Sequence, residues 1–254
     1  MNEKLFEECI PAEGEVPLVV PDNLIMSGYL KNSIAKNKHP EFSTISPNTR
    51  RFINRHFPGV SDEQWNSWRW QIKNSYTSFS QLNQIIDFRR VIDDQSILEN
   101  DKLPLRITPY YASLIEGAGA DHPIVKGVVP SIRELQKSHG EASDPLHEEN
   151  CSPVPNIVHR YPDRVLFLAT GFCSTYCRYC TRSHMVAKDK MHYGKAAWQP
   201  GIEYIRNNKA VRDVLISGGD PLTMPEAHLE YLLESLRAIP HVEIIRIGTK
   251  VPVV

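Results

Sequence analysis

The sequence has no apolar run approaching the ~20 residues needed to span a bilayer, and it has almost no net charge. Across 254 residues, 29 Lys and Arg offset 30 Asp and Glu, a formal net charge of −1. With no field of one sign, nothing steers the chain toward nucleic acid or an anionic membrane. A secretory signal is excluded too, because the opening MNEKLFEECIPAEGE carries charges at residues 3, 4, 7 and 8, where an apolar core would be needed. Cysteine is scarce, with five in the whole chain. An odd number, three of them clustered, argues for ligand chemistry in a reducing compartment rather than a disulfide framework. These features predict a cytoplasmic protein with no membrane and no nucleic-acid partner. Composition is otherwise ordinary, 41% apolar and 23% charged, and the chain is long enough to bury a real core.

Residues 1–60 read as an irregular N-terminal extension, because Pro11, Pro17, Pro21, Pro40, Pro47 and Pro58 interrupt helical stretches; only one or two short helices near residues 23–37 are expected. Residues 61–150 form a helical region. Ser61 and Gln64 make a capping box ahead of Trp65, Trp68 and Ile72 on one face. A second helix is expected near SFSQLNQIIDF, and a third from Thr108–Pro109 to Gly117. A fourth would open at Ser131, with Glu134 as its box partner, and end near Gly140. Tryptophans 65, 68 and 70 read as core residues.

The pattern changes after the polar, proline-rich SDPLHEENCSPVPN. RVLFLAT (164–170), VRDVLIS (211–217) and VEIIRIGT (242–249) are apolar runs of strand length, alternating with helical stretches at 196–208 and 225–239. Strand–helix–strand–helix–strand predicts parallel βαβ units, either doubly wound or part of a barrel, in residues 151–254. The third strand lies at the end of the chain with a sheet edge left over, which reads as truncation.

Cys173, Cys177 and Cys180 directly follow the first of these strands, in the pattern C-x3-C-x2-C. Ligands in α/β sheets collect at the carboxyl ends of strands. Three thiolates on one short loop converge readily on one metal centre, yet a structural zinc site or a fully ligated four-iron cluster needs a fourth ligand. Either His159, His184 or Cys151 completes a zinc site, or three ligands leave one iron of a cluster open for chemistry. Cys9 and Cys151 read as bland thiols. A second loop, Ser217-Gly218-Gly219-Asp220, follows the second strand; its glycines permit close backbone approach to a ligand, and Asp220 can accept from an ammonium group.

The cysteine spacing, with Tyr179 just before the last cysteine, resembles the radical S-adenosylmethionine superfamily. In that family the aromatic packs near the adenine, the glycine-rich segment holds the methionyl amino group, and S-adenosylmethionine chelates the open iron of a [4Fe-4S] cluster. The resemblance sharpens to the lysine 2,3-aminomutase family at DPLHEENCSPVPNIVHRYPDRVLFLATGFCSTYCRYCTRSH, WNSWRWQIKN, ITPYYASLI, VRDVLISGGDPL and IPHVEIIRIGTKVPVV. It runs from about residue 60 to the last residue. It implies a helical region followed by the first βα units of a partial (β/α) TIM-like barrel. It also implies an isomerase that uses S-adenosylmethionine, the [4Fe-4S] cluster and pyridoxal 5′-phosphate (PLP) to convert L-lysine to β-lysine through a 5′-deoxyadenosyl radical.

The resemblance implies that Cys173, Cys177 and Cys180 hold the cluster, and that Tyr179, Ser217, Gly218, Gly219 and Asp220 surround S-adenosylmethionine. Arg160, Tyr161 and Arg164 would surround PLP, with Arg182 on the carboxylate of a small amino-acid substrate. It further implies an electron donor such as flavodoxin or ferredoxin, and a homo-oligomer at full length. The sequence departs from the family at Ser183 and His184, where CTRR is usual, and at Lys250 and Val251, where arginine and threonine are usual. Lys188, Lys190, Lys195, Lys209 and Lys250 match none of the family's PLP-lysine context. Two further readings stand beside the first. One is an aminomutase for another amino acid, such as glutamate, or for a protein lysine. The other is a non-catalytic iron–sulfur or zinc-binding fragment.

Overall fold

The computed structural model describes residues 45–85, 104–136, 139–186 and 193–254. The expected helices near 23–37 lie outside the described residues. Within the stretch read as irregular, helix α1 (Pro47–His56) forms because the Ser46 hydroxyl accepts from Thr49 N and proline stands at its first position. Its Phe52 and Ile53 are buried. The helix expected from Ser61 is present as two short pieces, α2 (Asp62–Trp65) and α3 (Trp68–Lys73), broken at Asn66–Ser67. The Ser61–Gln64 capping box is formed. The short α4 (Phe79–Leu82) follows, then α5 (Pro109–Ile115), capped by Thr108 as anticipated, and α6 (Pro123–Val128).

Phe52, Trp65, Leu82, Ile107, Ile115 and Val128 meet in one apolar cluster, with Trp70 packed against it 5.6 Å from Trp65, ring to ring. Trp65 and Trp70 therefore serve the core. The helix expected from Ser131 to Gly140 is a single 3-10 turn, Ile132–Leu135, with its capping box intact. None of its residues is buried, so no apolar face holds a longer helix in place.

Four strands form one open sheet in the order β1-β2-β3-β4. The parallel strands β2 (Arg164–Thr170), β3 (Asp213–Gly218) and β4 (Ile244–Ile247) lie where the sequence predicts them. The unanticipated β1 (Ile157–Tyr161) pairs antiparallel with β2 across the Tyr161–Arg164 turn. Helix α7 (Lys195–Asn207) connects β2 to β3, and α8 (Glu226–Arg237) connects β3 to β4. This is a mixed α/β fold with a mostly parallel sheet, consistent with part of an α/β barrel. Trp198, Ile202 and Ile205 of α7 and Leu232 and Leu236 of α8 bury against Phe167, Val214 and Ile216. A Cβ at Gly201 would sit 3.1 Å from the Ile157 side chain and 3.2 Å from Phe167, so the absence of a side chain there leaves room for the close approach of α7 to the sheet. No described helix is long and apolar enough to cross a membrane.

His159 on β1 is buried, with Nδ1 2.7 Å from the Tyr204 hydroxyl. Burial lowers its pKa, against the opposing pull of backbone bonds at Pro162 and Tyr161. The unfolded chain takes up a proton below about pH 6.5 while folded His159 stays neutral, so this contribution is complete above that pH and is lost as pH falls toward the folded value. Urea midpoints measured between about pH 7 and pH 5 should fall less steeply for His159→Gln than for the parent. Equal slopes would assign the acid sensitivity to other groups.

Candidate functional site

The loop after β2 holds all three clustered cysteines, and it is fixed from the helical side. Arg178, between Cys177 and Cys180, donates to the Glu134 carboxylate through Nε (3.1 Å) and Nη2, and through Nη1 to Pro104 O at 2.7 Å. Glu134 also accepts from Ser131 N at 2.9 Å, so one carboxylate closes the capping box and anchors the loop. The main chain adds Arg178 N to Gly127 O (2.8 Å) and Tyr176 N to Arg106 O (3.2 Å). The Arg106 guanidinium lies over the Phe172 ring, 4.6 Å from its centre.

So held, Cys173, Cys177 and Cys180 line a single open cavity of about 350 Å³. All three are free thiols of intermediate exposure. No other cysteine among the described residues lines that cavity, whereas His184 does. Both His184 ring nitrogens are buried without a hydrogen-bond partner, and Nε2 lies 3.9 Å from Glu149. His159, by contrast, is bonded to Tyr204. Cys151 is buried with Val158 and Leu168 and does not line the thiol cavity. Among the described residues no group of three or more His, Cys, Asp and Glu converges on one metal position. The thiols thus share a cavity rather than a finished coordination point.

Burial pushes the Cys173 thiol up to about 12, with Asp220 and the neighbouring cysteines adding to the shift. Its proton must be displaced by whatever metal binds there. The donor set fits an iron–sulfur cluster held by three ligands: three thiols, one loop, one cavity.

The Ser217–Asp220 segment comes up against this loop. Gly218 has φ +112°, and a Cβ there would lie 2.5 Å from Thr170 O; at Gly219 it would strike the Phe172 carbonyl. These glycines let the end of β3 pass directly under the start of the cysteine loop, where Asp220 N donates to Phe172 O at 2.8 Å. Sequence alone suggests Asp220 as an acceptor for an ammonium group. In the structure its buried carboxylate is filled by the chain itself: Oδ1 accepts from Leu222 N (3.0 Å) and Thr249 Oγ1 (2.6 Å), and Oδ2 from Lys250 N (2.6 Å) and Val251 N (3.1 Å). Ser217 is half-buried on β3. Tyr179 is 69% exposed, and its hydroxyl accepts from Lys250 Nζ at 3.2 Å.

Lys250, just past β4, also donates from Nζ to Cys177 Sγ at 3.1 Å. Burial alone would lower the pKa of this ammonium, but its bonds to Cys177 and Tyr179 outweigh burial and raise it.

A second cavity, of about 360 Å³, brings together Arg160, Tyr161, Arg164 and Arg182. Two unanticipated residues, Glu148 and Arg246, line it as well. Glu148 is buried and takes Arg182 Nε and Nη2 in a fork at 2.8 and 2.7 Å. Asp213 takes Arg246 in the same manner, at 3.0 and 2.7 Å. Arg164 bonds its neighbour Asp163 and lies over the Tyr161 ring, 5.5 Å from its centre. A cavity walled by four guanidiniums, with only Glu148 acidic among its lining residues, fits an anionic ligand such as a phosphate ester or a carboxylate. Glu148 leaves the Nη1 side of Arg182 for such an anion.

No family model matches the chain. Over 207 residues it is 45% identical to an L-lysine 2,3-aminomutase of Fusobacterium nucleatum subsp. nucleatum, covering 82% of this chain and 48% of that protein. It is 44% identical over 198 residues to an L-lysine 2,3-aminomutase of Clostridium subterminale, covering 78% and 48%. A glutamate 2,3-aminomutase of Clostridioides difficile is 37% identical over 190 residues, covering 75% and 45%. The chain spans about half the length of the curated relatives it matches.

Proposed function

We propose that the chain belongs to the lysine 2,3-aminomutase family, as its 44–45% identity to several such enzymes supports, and that it carries the cluster-binding part of a radical S-adenosylmethionine amino-acid 2,3-aminomutase, an isomerase acting on L-lysine. The supporting observation is the gathering of the Cys173, Cys177 and Cys180 thiols in one cavity at the carboxyl end of a parallel strand. In this reading those three residues hold a [4Fe-4S] cluster. Tyr179, Ser217, Gly218 and Gly219 border S-adenosylmethionine, and Asp220 fixes the adjoining turn rather than touching the ligand. Arg160, Tyr161 and Arg164 hold the PLP phosphate, and Arg182 presents its free edge to the substrate carboxylate. When bound, these cofactors supply one-electron bond cleavage and migration of the amino group between neighbouring carbons. The protein's own part is to neutralise anions with arginine and to hold the three-thiol loop in place through the Arg178–Glu134 anchor. The physiological setting follows: a cytoplasmic enzyme supplied by flavodoxin or ferredoxin.

The relative named for glutamate makes that amino acid the nearest substrate alternative. A second reading rests on His184, whose unbonded ring nitrogens line the thiol cavity. It would complete a Cys3His zinc site with no radical chemistry.

Anaerobic reconstitution with iron and sulfide, then dithionite reduction and electron paramagnetic resonance with and without S-adenosylmethionine, separates the two. A four-iron signal that changes on adding S-adenosylmethionine is expected. Zinc uptake without a cluster would overturn the radical reading for this chain.

A further inference from the structure

Among the described residues, Lys250 brings its ammonium within hydrogen-bond distance of a cysteine sulfur, and three elements aim it there. Asp220 Oδ2 accepts from the main-chain N of Lys250 at 2.6 Å and of Val251 at 3.1 Å, fixing the turn after β4. The Lys250 side chain then crosses to the loop after β2, where Nζ reaches Cys177 Sγ (3.1 Å) and Tyr179 Oη (3.2 Å). The Tyr111 ring of α5 lies on another side, its centre 5.4 Å from Nζ. A solvated surface lysine would hold none of these contacts together, because ordering a four-carbon stem costs rotamer entropy.

Resting on the cluster reading above, we infer that Lys250 is a positioning residue that sets the reduction potential of the Cys177-ligated cluster by donating an N–H···S hydrogen bond and placing a positive charge beside that sulfur. One-electron reduction adds a negative charge to the cluster and its thiolates. A nearby ammonium stabilises the reduced state more than the oxidised state, and hydrogen bonds to ligating sulfur act in the same direction. The potential is therefore raised by Lys250, which eases reduction by the electron donor.

The test is a potentiometric titration, followed by electron paramagnetic resonance, of the reconstituted 254-residue chain and its Lys250→Met, Lys250→Gln and Lys250→Arg variants, each with its iron counted. Lys250→Met and Lys250→Gln should hold parent-like iron while the reduced-to-oxidised ratio at a fixed potential drops about tenfold, equivalent to about 59 mV for one electron. Lys250→Arg, which keeps a charged donor, should recover most of that loss. An unchanged midpoint in iron-loaded Lys250→Met or Lys250→Gln overturns the tuning role. So does loss of iron from both of those variants while they stay folded, since Lys250 would then be a structural support of the loop. A parent chain that takes up no iron fails the cluster reading itself, an outcome told apart before any variant is compared.

Discussion

Changing any one of Cys173, Cys177 or Cys180 to alanine should leave no more than about a tenth of the parent's iron after anaerobic reconstitution, against about four irons per chain for a filled cluster. The expectation follows from the geometry of the loop. The three thiols share one cavity that no other cysteine among the described residues lines, so no spare thiol can move in. Each substitution removes a ligand without disturbing the Arg178–Glu134 anchor, which is made by a different side chain and keeps the loop in place. His184→Ala provides the opposing arm: it should leave the iron content unchanged if the cluster reading holds. Iron and zinc counts by atomic spectroscopy decide between them. Retention of iron by two of the three cysteine variants would mean that the metal is bound elsewhere. Loss of zinc from His184→Ala would favour the Cys3His site.

What the sequence makes legible here depends on how local the cause is. β2 and β3 can be read from their runs of Val, Leu and Ile, because strands buried on both faces need little else. β1 is hard to read because His159 and Arg160 interrupt its apolar character and its pairing depends on the turn to β2. In α1 the Ser46–Pro47 start signal is present, but the surrounding prolines mask it; burial of Phe52 and Ile53 against distant residues decides the matter. The reverse holds at Ser131, where a proper capping box starts a helix that has nothing to bury.

The same rule divides the site. Three cysteines within eight positions are visible as a pattern, and the glycines before Asp220 announce a close approach. Glu148 carries no local signal, because it matters only through Arg182, 34 residues away. Lys250 meets Cys177 across 73 residues, a contact that only the sheet order creates.

Asp220→Ala should be the most destabilising single change near the site, by about 3 kcal/mol, because it removes a buried ionic acceptor from four donors at once. For a chain of this size that corresponds to a fall in Tm of about 6–12 °C. Asp220→Asn should cost less. The Thr249 hydroxyl can reverse and accept from the new amide, and the remaining oxygen can still serve one pair of main-chain donors. Thermal unfolding of both variants measures the effect, and a fall of less than about 2 °C for Asp220→Ala would mean that water satisfies the freed groups. The consequence reaches the cysteine loop, because the turn that Asp220 holds is the one that aims Lys250 at Cys177. In iron-loaded protein, Asp220→Ala should therefore lower the cluster midpoint in the same direction as Lys250→Met. Combined with Lys250→Met, it should add almost nothing further, the non-additivity expected of two residues acting through one contact. A raised midpoint in Asp220→Ala would instead mean that Asp220 acts on the cluster by its own negative charge, whose removal favours the reduced state, and not through the lysine it positions.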